Sequence, residues 1–164
     1  MSVRTARPDD AAQVADIYNY YVVNSHATFE LDAVDPIEML RRMEHGWALG
    51  YPFLVYESDT GILGLAYAHR YRERQAYSQS VEVSVYIRNG SEGKSIGTGL
   101  YQRLLKEIGS KDFHVIIAGI ALPNDASIRL HEKFGFRKVA HFEEVGRKFD
   151  RWVDVGYWQK ILRK

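Results

Sequence analysis

The sequence contains no cysteine. That excludes disulfides, thiolate nucleophiles and cysteine-ligated zinc, and a reducing compartment is compatible with the chain. It also lacks an excess of charge of one sign. The 22 basic and 21 acidic residues leave a formal charge of +1, so no uniform field is offered to a nucleic-acid backbone, and no nucleic-acid partner is expected. Long apolar runs are missing too. No window approaches the ~18 apolar residues of a membrane span, and the opening MSVRTARPDDAAQ has no apolar stretch of the secretory kind. These absences lead to the expectation of a cytoplasmic protein with no membrane partner. The histidines are scattered and form no H-x-x-x-H pair, so no metal is expected.

What is present is core-forming material. The hydrophobic fraction is 46% and the aromatic fraction 13% in 164 residues, which suits one compact domain spanning residues 1–164. Apolar residues Val14, Ile17, Tyr18 and Tyr21 recur at three- and four-residue spacing, predicting a helix from Ala11 to about Asn24 behind the turn Pro8-Asp9-Asp10. Met39, Leu40 and Met43 predict another from about Pro36 to Trp47. The period then shortens. Phe53–Tyr56 and Ile62–Ala68 read as strands joined at Asp59-Thr60-Gly61, and VEVSVYI (Val81–Ile87) as a β-branched strand. A helix over about Ile96–Ile108, a strand Val115–Ala121, a helix Asp125–Phe134 and strands near Arg137–Val145 and Trp152–Ile161 follow; with the alternating polar and apolar residues Ser2–Ala6 as the leading strand, the order is β-α-α-β-β-β-α-β-α-β-β. Such an order calls for an α/β mixed sheet with helices on both faces.

The most informative stretch is the strand VEVSVYI, the loop RNGSEGKSIG and the helix that follows. A glycine-rich turn entering a helix aims several backbone N–H groups and the helix dipole at one point, which suits a phosphate or pyrophosphate. Gly93 and Gly97 remove side chains there, and Lys94 adds positive charge. The alternative is a connection whose glycines merely turn the chain. Two other phosphate motifs fail: the P-loop would need a glycine five residues before Gly93, where none stands, and no G-x-G-x-x-G occurs.

At this junction the chain resembles the GNAT N-acetyltransferases, whose acetyl-CoA motif [RQ]-x-x-G-x-[GA] falls on Glu92–Gly97. Glu92 stands in place of the Arg or Gln, and Ser95 in place of the first Gly. The segment IALPNDASIRLHEKFGFRKV resembles the family's last helix. RYRERQAYSQSVEVSVYI and the tail VGRKFDRWVDVGYWQ, with its G-x-K-x-x-x-W-x-D-V pattern, resemble the phosphinothricin and methionine sulfoximine/sulfone N-acetyltransferases. The resemblance covers about residues 3–160. It implies a mostly antiparallel mixed sheet splayed at an acetyl-CoA site, acetyl-CoA as co-substrate, a small amino-acid analogue as amine substrate, and a homodimer. Another amine, such as a polyamine or a protein N-terminus, and a non-catalytic acetyl-CoA sensor remain alternatives.

Amide formation at a thioester needs a neutral amine, so a base must take the ammonium proton. Glu82, between Val81 and Val83, points to the face opposite theirs. On spacing alone a solvated or edge-strand glutamate is the plainer reading; the resemblance makes it the base candidate. His131 is likewise either structural or, by resemblance, the second acid–base candidate. For the coenzyme, the resemblance implies main-chain pairing by Val85, Tyr86 and Ile87, a cradle of Gly93, Lys94, Ser95, Ile96, Gly97 and Thr98, and an approach by Asn124, which also suits a helix cap. For the substrate it implies Arg72 and Arg74 with Tyr77, since Arg suits a bidentate clamp on carboxylate or phosphinate, together with Phe29. A solvated loop and a core phenylalanine are the plainer readings of those residues. Tyr101 on the helix reads as buried packing or as a proton source, and Trp152 and Tyr157 as packing or dimer residues.

Overall fold

Polar caps and short turns divide the chain where the periodicity changes. The computed structural model describes residues 1–162. Its elements are β1 (Ser2–Thr5), α1 (Ala11–Asn24), α2 (Pro36–Ala48), β2 (Phe53–Ser58), β3 (Gly61–Arg70), β4 (Ser80–Ile87), α3 (Ile96–Gly109), β5 (Val115–Ala121), α4 (Asp125–Lys133), β6 (Arg137–Lys148) and β7 (Arg151–Ile161). The order is the one expected from the sequence. The turn read at Pro8–Asp10 is a single turn of 3-10 helix, and a second one, Gln75–Tyr77, was not legible in the sequence. Strand order is β1-β2-β3-β4-β5-β7-β6 in a mixed seven-stranded sheet. β4 and β5 run parallel, while β1/β2, β2/β3, β5/β7 and β6/β7 are antiparallel. The parallel register covers Ser80–Glu82 against Val115–Ile117 and ends at Glu82.

The chain forms two compact units. The first comprises Met1–Tyr20, Val34–His69 and Val83–Asp112. In it α3 packs on β1 and β2, and α2 on β2. Ile96, Leu100, Leu104 and Ile108 recur every fourth residue of α3 and are all buried, forming one apolar ridge. Gly64 on β3 allows that close approach: a Cβ there would lie 3.0–3.1 Å from Ile87, Ile96 and Leu100. Asp35 caps α2 by accepting from the Glu38 amide at 2.8 Å. The entry to α1 is tied by Arg4, which bonds both Asp10 and Glu57. Burial pushes the Asp10 carboxyl up, but the Arg4 guanidinium and the Arg7 amide outweigh it and hold it below the usual range.

The second unit comprises Tyr21–Ala33, Arg70–Glu82 and the chain from Phe113 onward. Here α4 packs on β5. Asn124 caps α4 through the Ser127 amide at 3.1 Å, and Gly135 follows it in the left-handed region at φ +82°. β6 and β7 turn through Phe149 and Asp150, with φ of 51° and 55°. Two successive positive φ values make this a two-residue hairpin whose twist matches its strands.

Candidate functional site

The junction after β4 is built from the main chain outward. Arg88 anchors it: its amide donates to Leu63 O at 2.8 Å and its Nε to Ile62 O at 2.7 Å. Gly90, Gly93 and Ser95 then take φ of 81°, 76° and 59°. These left-handed turns carry the exposed residues Glu92, Gly93, Lys94 and Ser95 around to the start of α3. The Ser95 side chain makes no cap bond, and the Gly99 amide is bonded to Ser95 O at 3.0 Å. The first-turn amides of Ile96, Gly97 and Thr98 therefore precede that bond, at the positive end of the helix dipole. No described atom lies within 4 Å of where a Cβ on Gly93 would sit. Its backbone conformation, not crowding, is what favours glycine there. Ile96 is 3% exposed and its side chain belongs to the core, so only its main chain is offered outward. Val85, Tyr86 and Ile87 are half-buried. The Tyr86 ring stands edge-on to Tyr18 at 5.1 Å, and Ile87 packs against Gly64.

In the second unit, alternation along β4 does what the sequence predicts. Val81 is fully buried, and Glu82 lies half-buried on the other face. Its register partner is Ile117, and two residues further along β5 is Gly119, an exposed glycine in mid-strand paired with Tyr157 of β7. A Cβ on Gly119 would sit 3.3 Å from Glu82 Oε1 and 3.2 Å from Tyr157 Cε1. Carboxylate and phenol thus flank a floor of bare backbone. Isolated glycine inside a strand often marks such a close approach. Burial raises the Tyr157 phenol pKa first, the charges of Glu82 and Tyr71 raise it further, and Arg72 opposes them. Tyr157 lies in the field of both the acid and the arginine.

The Arg72 guanidinium sits 4.9 Å over the Tyr71 ring, which meets Tyr77 edge-on at 5.5 Å. Arg74 is exposed at the start of the 3-10 turn that carries Tyr77. Phe29 is 39% exposed and lays its ring directly over Gly146, where any Cβ would collide with it. The second unit therefore holds Glu82, Arg72, Arg74, Tyr77 and Phe29. The charges of Glu82 and Arg72 both act on the Tyr157 phenol. Sequence reasoning assigned Tyr157 to packing or a dimer and passed over Gly119. The lone glycine in VIIAGIA was the available signal.

His131 is 3% exposed. Its Nδ1 lies 2.7 Å from Ser127 O one turn earlier. A carbonyl only accepts, so Nδ1 carries the proton in that bond. Burial lowers the pKa, the backbone bond opposing, and the ring packs edge-on against Phe136 at 5.2 Å. The imidazole is thus neutral, bonded within α4 and packed on Phe136 just beyond it. Tyr101 is fully buried in α3, and burial pushes its phenol far up, so it serves packing. Trp152 is 59% exposed, outside the core of its unit.

Comparison with known proteins identifies the family and the fold. The profile of the acetyltransferase (GNAT) domain family matches residues 3–156. The chain is 37% identical to a phosphinothricin N-acetyltransferase of Streptomyces coelicolor, over 99% of this chain and 96% of that protein. It is equally similar, at 37%, to an L-methionine sulfoximine/L-methionine sulfone acetyltransferase of Salmonella typhimurium, over 99% and 95% of the two chains. Among solved structures, a Salmonella typhimurium protein with its cofactor acetyl-CoA superposes with a TM-score of 0.96 at 36% identity, covering 99% of this chain and 94% of that one.

Proposed function

The chain belongs to the GNAT acetyltransferases and is an N-acetyltransferase using acetyl-CoA; from that premise we propose that it acetylates the amino group of a small amino-acid analogue. The class meant is that of phosphinothricin, methionine sulfoximine and methionine sulfone, the compounds named for the relatives. The observation that carries this reading is the Glu82 carboxylate beside the open floor at Gly119, with Tyr157 on the other side of that floor and Arg72 close enough for its charge to act on the same phenol. An amino acid brings an ammonium and an anionic head group, and this cluster offers one partner for each.

The residues fit the coenzyme. The left-handed turn through Gly93 and Ser95 brings the N-terminal end of α3, where the helix dipole is positive, to a diphosphate, with Lys94 exposed beside it. Glu92 is exposed and is free to turn its carboxylate into water. Val85–Ile87 continue the strand beyond Glu82, and their main chain pairs with an extended amide-bearing arm as an added strand would. Asn124 is engaged with the Ser127 amide. Its contribution to the coenzyme is to fix where α4 begins. Acetyl-CoA supplies the acyl group as a thioester.

Glu82 takes one proton from the substrate ammonium, directly or through a water. The freed amine lone pair attacks the acyl carbon, and N–H groups of the Val85–Ile87 stretch polarise the carbonyl oxygen. Arg72, with Arg74 and Tyr77, holds the anionic head group, and Phe29 lines the side-chain end. The C–S bond breaks as the amide forms, and the sulfur leaves with its electron pair and takes up the second proton that the amine nitrogen sheds. His131 acts at one remove, holding the helix that Asn124 starts.

A thiol-release assay with acetyl-CoA tests the reading. Methionine sulfone, methionine sulfoximine or phosphinothricin should exceed spermidine and peptide N-termini by at least about tenfold in kcat/KM, roughly 1.4 kcal/mol. Glu82→Gln should lower kcat about 100-fold or more, within the range of general-base catalysis, while calorimetric affinity for acetyl-CoA is kept. Full turnover by Glu82→Gln across pH removes Glu82 as the base, and preference for spermidine removes the substrate class.

We further propose one catalytic domain, since a single family profile spans residues 3–156, working in the cytoplasm, where acetyl-CoA is made and spent. No helix among the described residues is long and apolar enough to cross a membrane. A homodimer is proposed through the β6–β7 hairpin. Val139, Phe142, Val145, Phe149 and Trp152 are each about half exposed there, and β6 is the terminal strand of the sheet.

A further inference from the structure

The tail pattern G-x-K-x-x-x-W-x-D-V runs from Gly146 to Val155, and nothing in the transfer reaction uses its lysine. Lys148 is 3% exposed. Burying an ammonium is costly unless its donors are met. Here Nζ donates to Thr28 O at 2.7 Å and lies 3.5 Å from Tyr21 O, with the Phe149 ring centroid at 5.1 Å. Burial lowers its pKa, and the charge of Glu30 opposes that. Methionine would fill the same space without the desolvation cost, so the cation has something to hold.

What it holds is the segment leaving α1. Residues 25–35 have no strand or helix ladder. Local bonds shape them: Ala27 N donates to Ser25 Oγ at 3.1 Å and Glu30 N to Thr28 Oγ1 at 3.3 Å. Two points on β6 dock the segment. Lys148 binds Thr28, and Gly146 receives the ring of Phe29. Gly146 and Lys148 are two apart on a strand, hence on one face. Which face that is depends on the register shift between Phe142 and Gly146. Asp154 pins the shift, accepting from the Glu144 amide at 2.9 Å and sitting 2.7 Å from His141 Nε2. Glu144 itself is left-handed at φ +47°. Glycine, lysine and aspartate of the tail thus serve one task.

We propose that Lys148 is a positioning residue for the amine-acceptor site: its ammonium fixes the Thr28–Phe29 main chain so that Phe29 presents its exposed edge to the acceptor's side chain. The inference rests on Phe29 lining that pocket, as read above. It assigns acceptor selectivity to a residue that never touches the acceptor.

Lys148→Met and Lys148→Arg, each measured by hydrogen exchange and by steady-state kinetics, test it. In Lys148→Met the amides of Ala27 and Glu30 should exchange at least tenfold faster while those of α3 are unchanged. KM for methionine sulfone should rise at least fivefold, with kcat and KM for acetyl-CoA within twofold of the parent. Lys148→Arg, which keeps charge and donors, should recover most of both effects. Gly146→Ala, which displaces the Phe29 ring with the ammonium intact, should give the same KM split. If Lys148→Met does not fold, Lys148→Gln replaces it, with the same pattern at smaller amplitude. Unchanged exchange over residues 25–31 in a folded variant overturns the proposal, as does an equal rise in both KM values. Failure of the parent protein to acetylate any amino-acid analogue overturns the substrate reading instead, and the exchange measurement still decides whether Lys148 fixes the segment.

Discussion

Ser95 occupies a backbone conformation that costs an L-residue about 1–2 kcal/mol, at φ +59° with no cap bond from its side chain in return. Ser95→Gly removes that cost, while glycine's greater freedom in the unfolded chain returns up to ~1 kcal/mol of it. The expected result is a gain of a few tenths to about 1 kcal/mol in denaturant unfolding, with acetyl-CoA affinity unchanged or improved. A loss of stability would mean that the hydroxyl has a partner in solution. Gly119 makes the opposite case, since its φ is not left-handed and its value lies in what is absent. Gly119→Val suits a strand but fills the floor beside Glu82 and Tyr157, where even a Cβ is tight. Expected is a fall of about 100-fold or more in kcat/KM, some 2.7 kcal/mol, with calorimetric acetyl-CoA binding within about twofold. Unimpaired turnover would show that substrate does not use that floor.

At the scale of elements, α4 couples a cap to a pH-dependent latch. Asn124 starts the helix, and His131, buried and donating to Ser127 O, holds its last turn. The folded-state pKa of His131 is depressed by burial. Below the unfolded value near ~6.5 the unfolded chain takes up a proton that the folded chain refuses. Stability is therefore full above that pH and is lost as pH falls toward the folded pKa, by at most about 1.4 kcal/mol per pH unit. Urea midpoints between about pH 7.5 and 5 should show this slope, and His131→Gln should flatten it while lowering stability throughout. An unchanged slope in His131→Gln would assign the titration to another group. The β6–β7 hairpin is the contrasting element, with bulged register and apolar side chains turned outward at Phe142, Phe149 and Trp152. Its inward residues Gly146 and Lys148 do the docking.

For the whole molecule, exposed aromatics on a terminal strand are an association risk unless a partner covers them. In the proposed dimer a second copy does so. Sedimentation equilibrium should give twice the 18.9 kDa chain mass, and Trp152→Asp should shift the population toward monomer with kcat retained. A monomer at all concentrations would leave the hairpin without that role.

The sequence by itself determined the element order, because apolar spacing of two or of three to four residues is a local property that survives tertiary packing. It determined the face of Glu82 for the same reason: Val81 and Val83 alternate with it in one strand. The glycine turn into α3 and the capping asparagine were legible, since both act within a few residues. Only tertiary structure decided that Gly119 and Tyr157 flank Glu82, because strands distant in sequence supply them through a parallel and an antiparallel pairing. It also decided that His131 is buried, and that Lys148 reaches back to Thr28. A helix period marks a histidine's face but not what covers it, and a strand lysine reads as solvated until the chain that wraps it is in place.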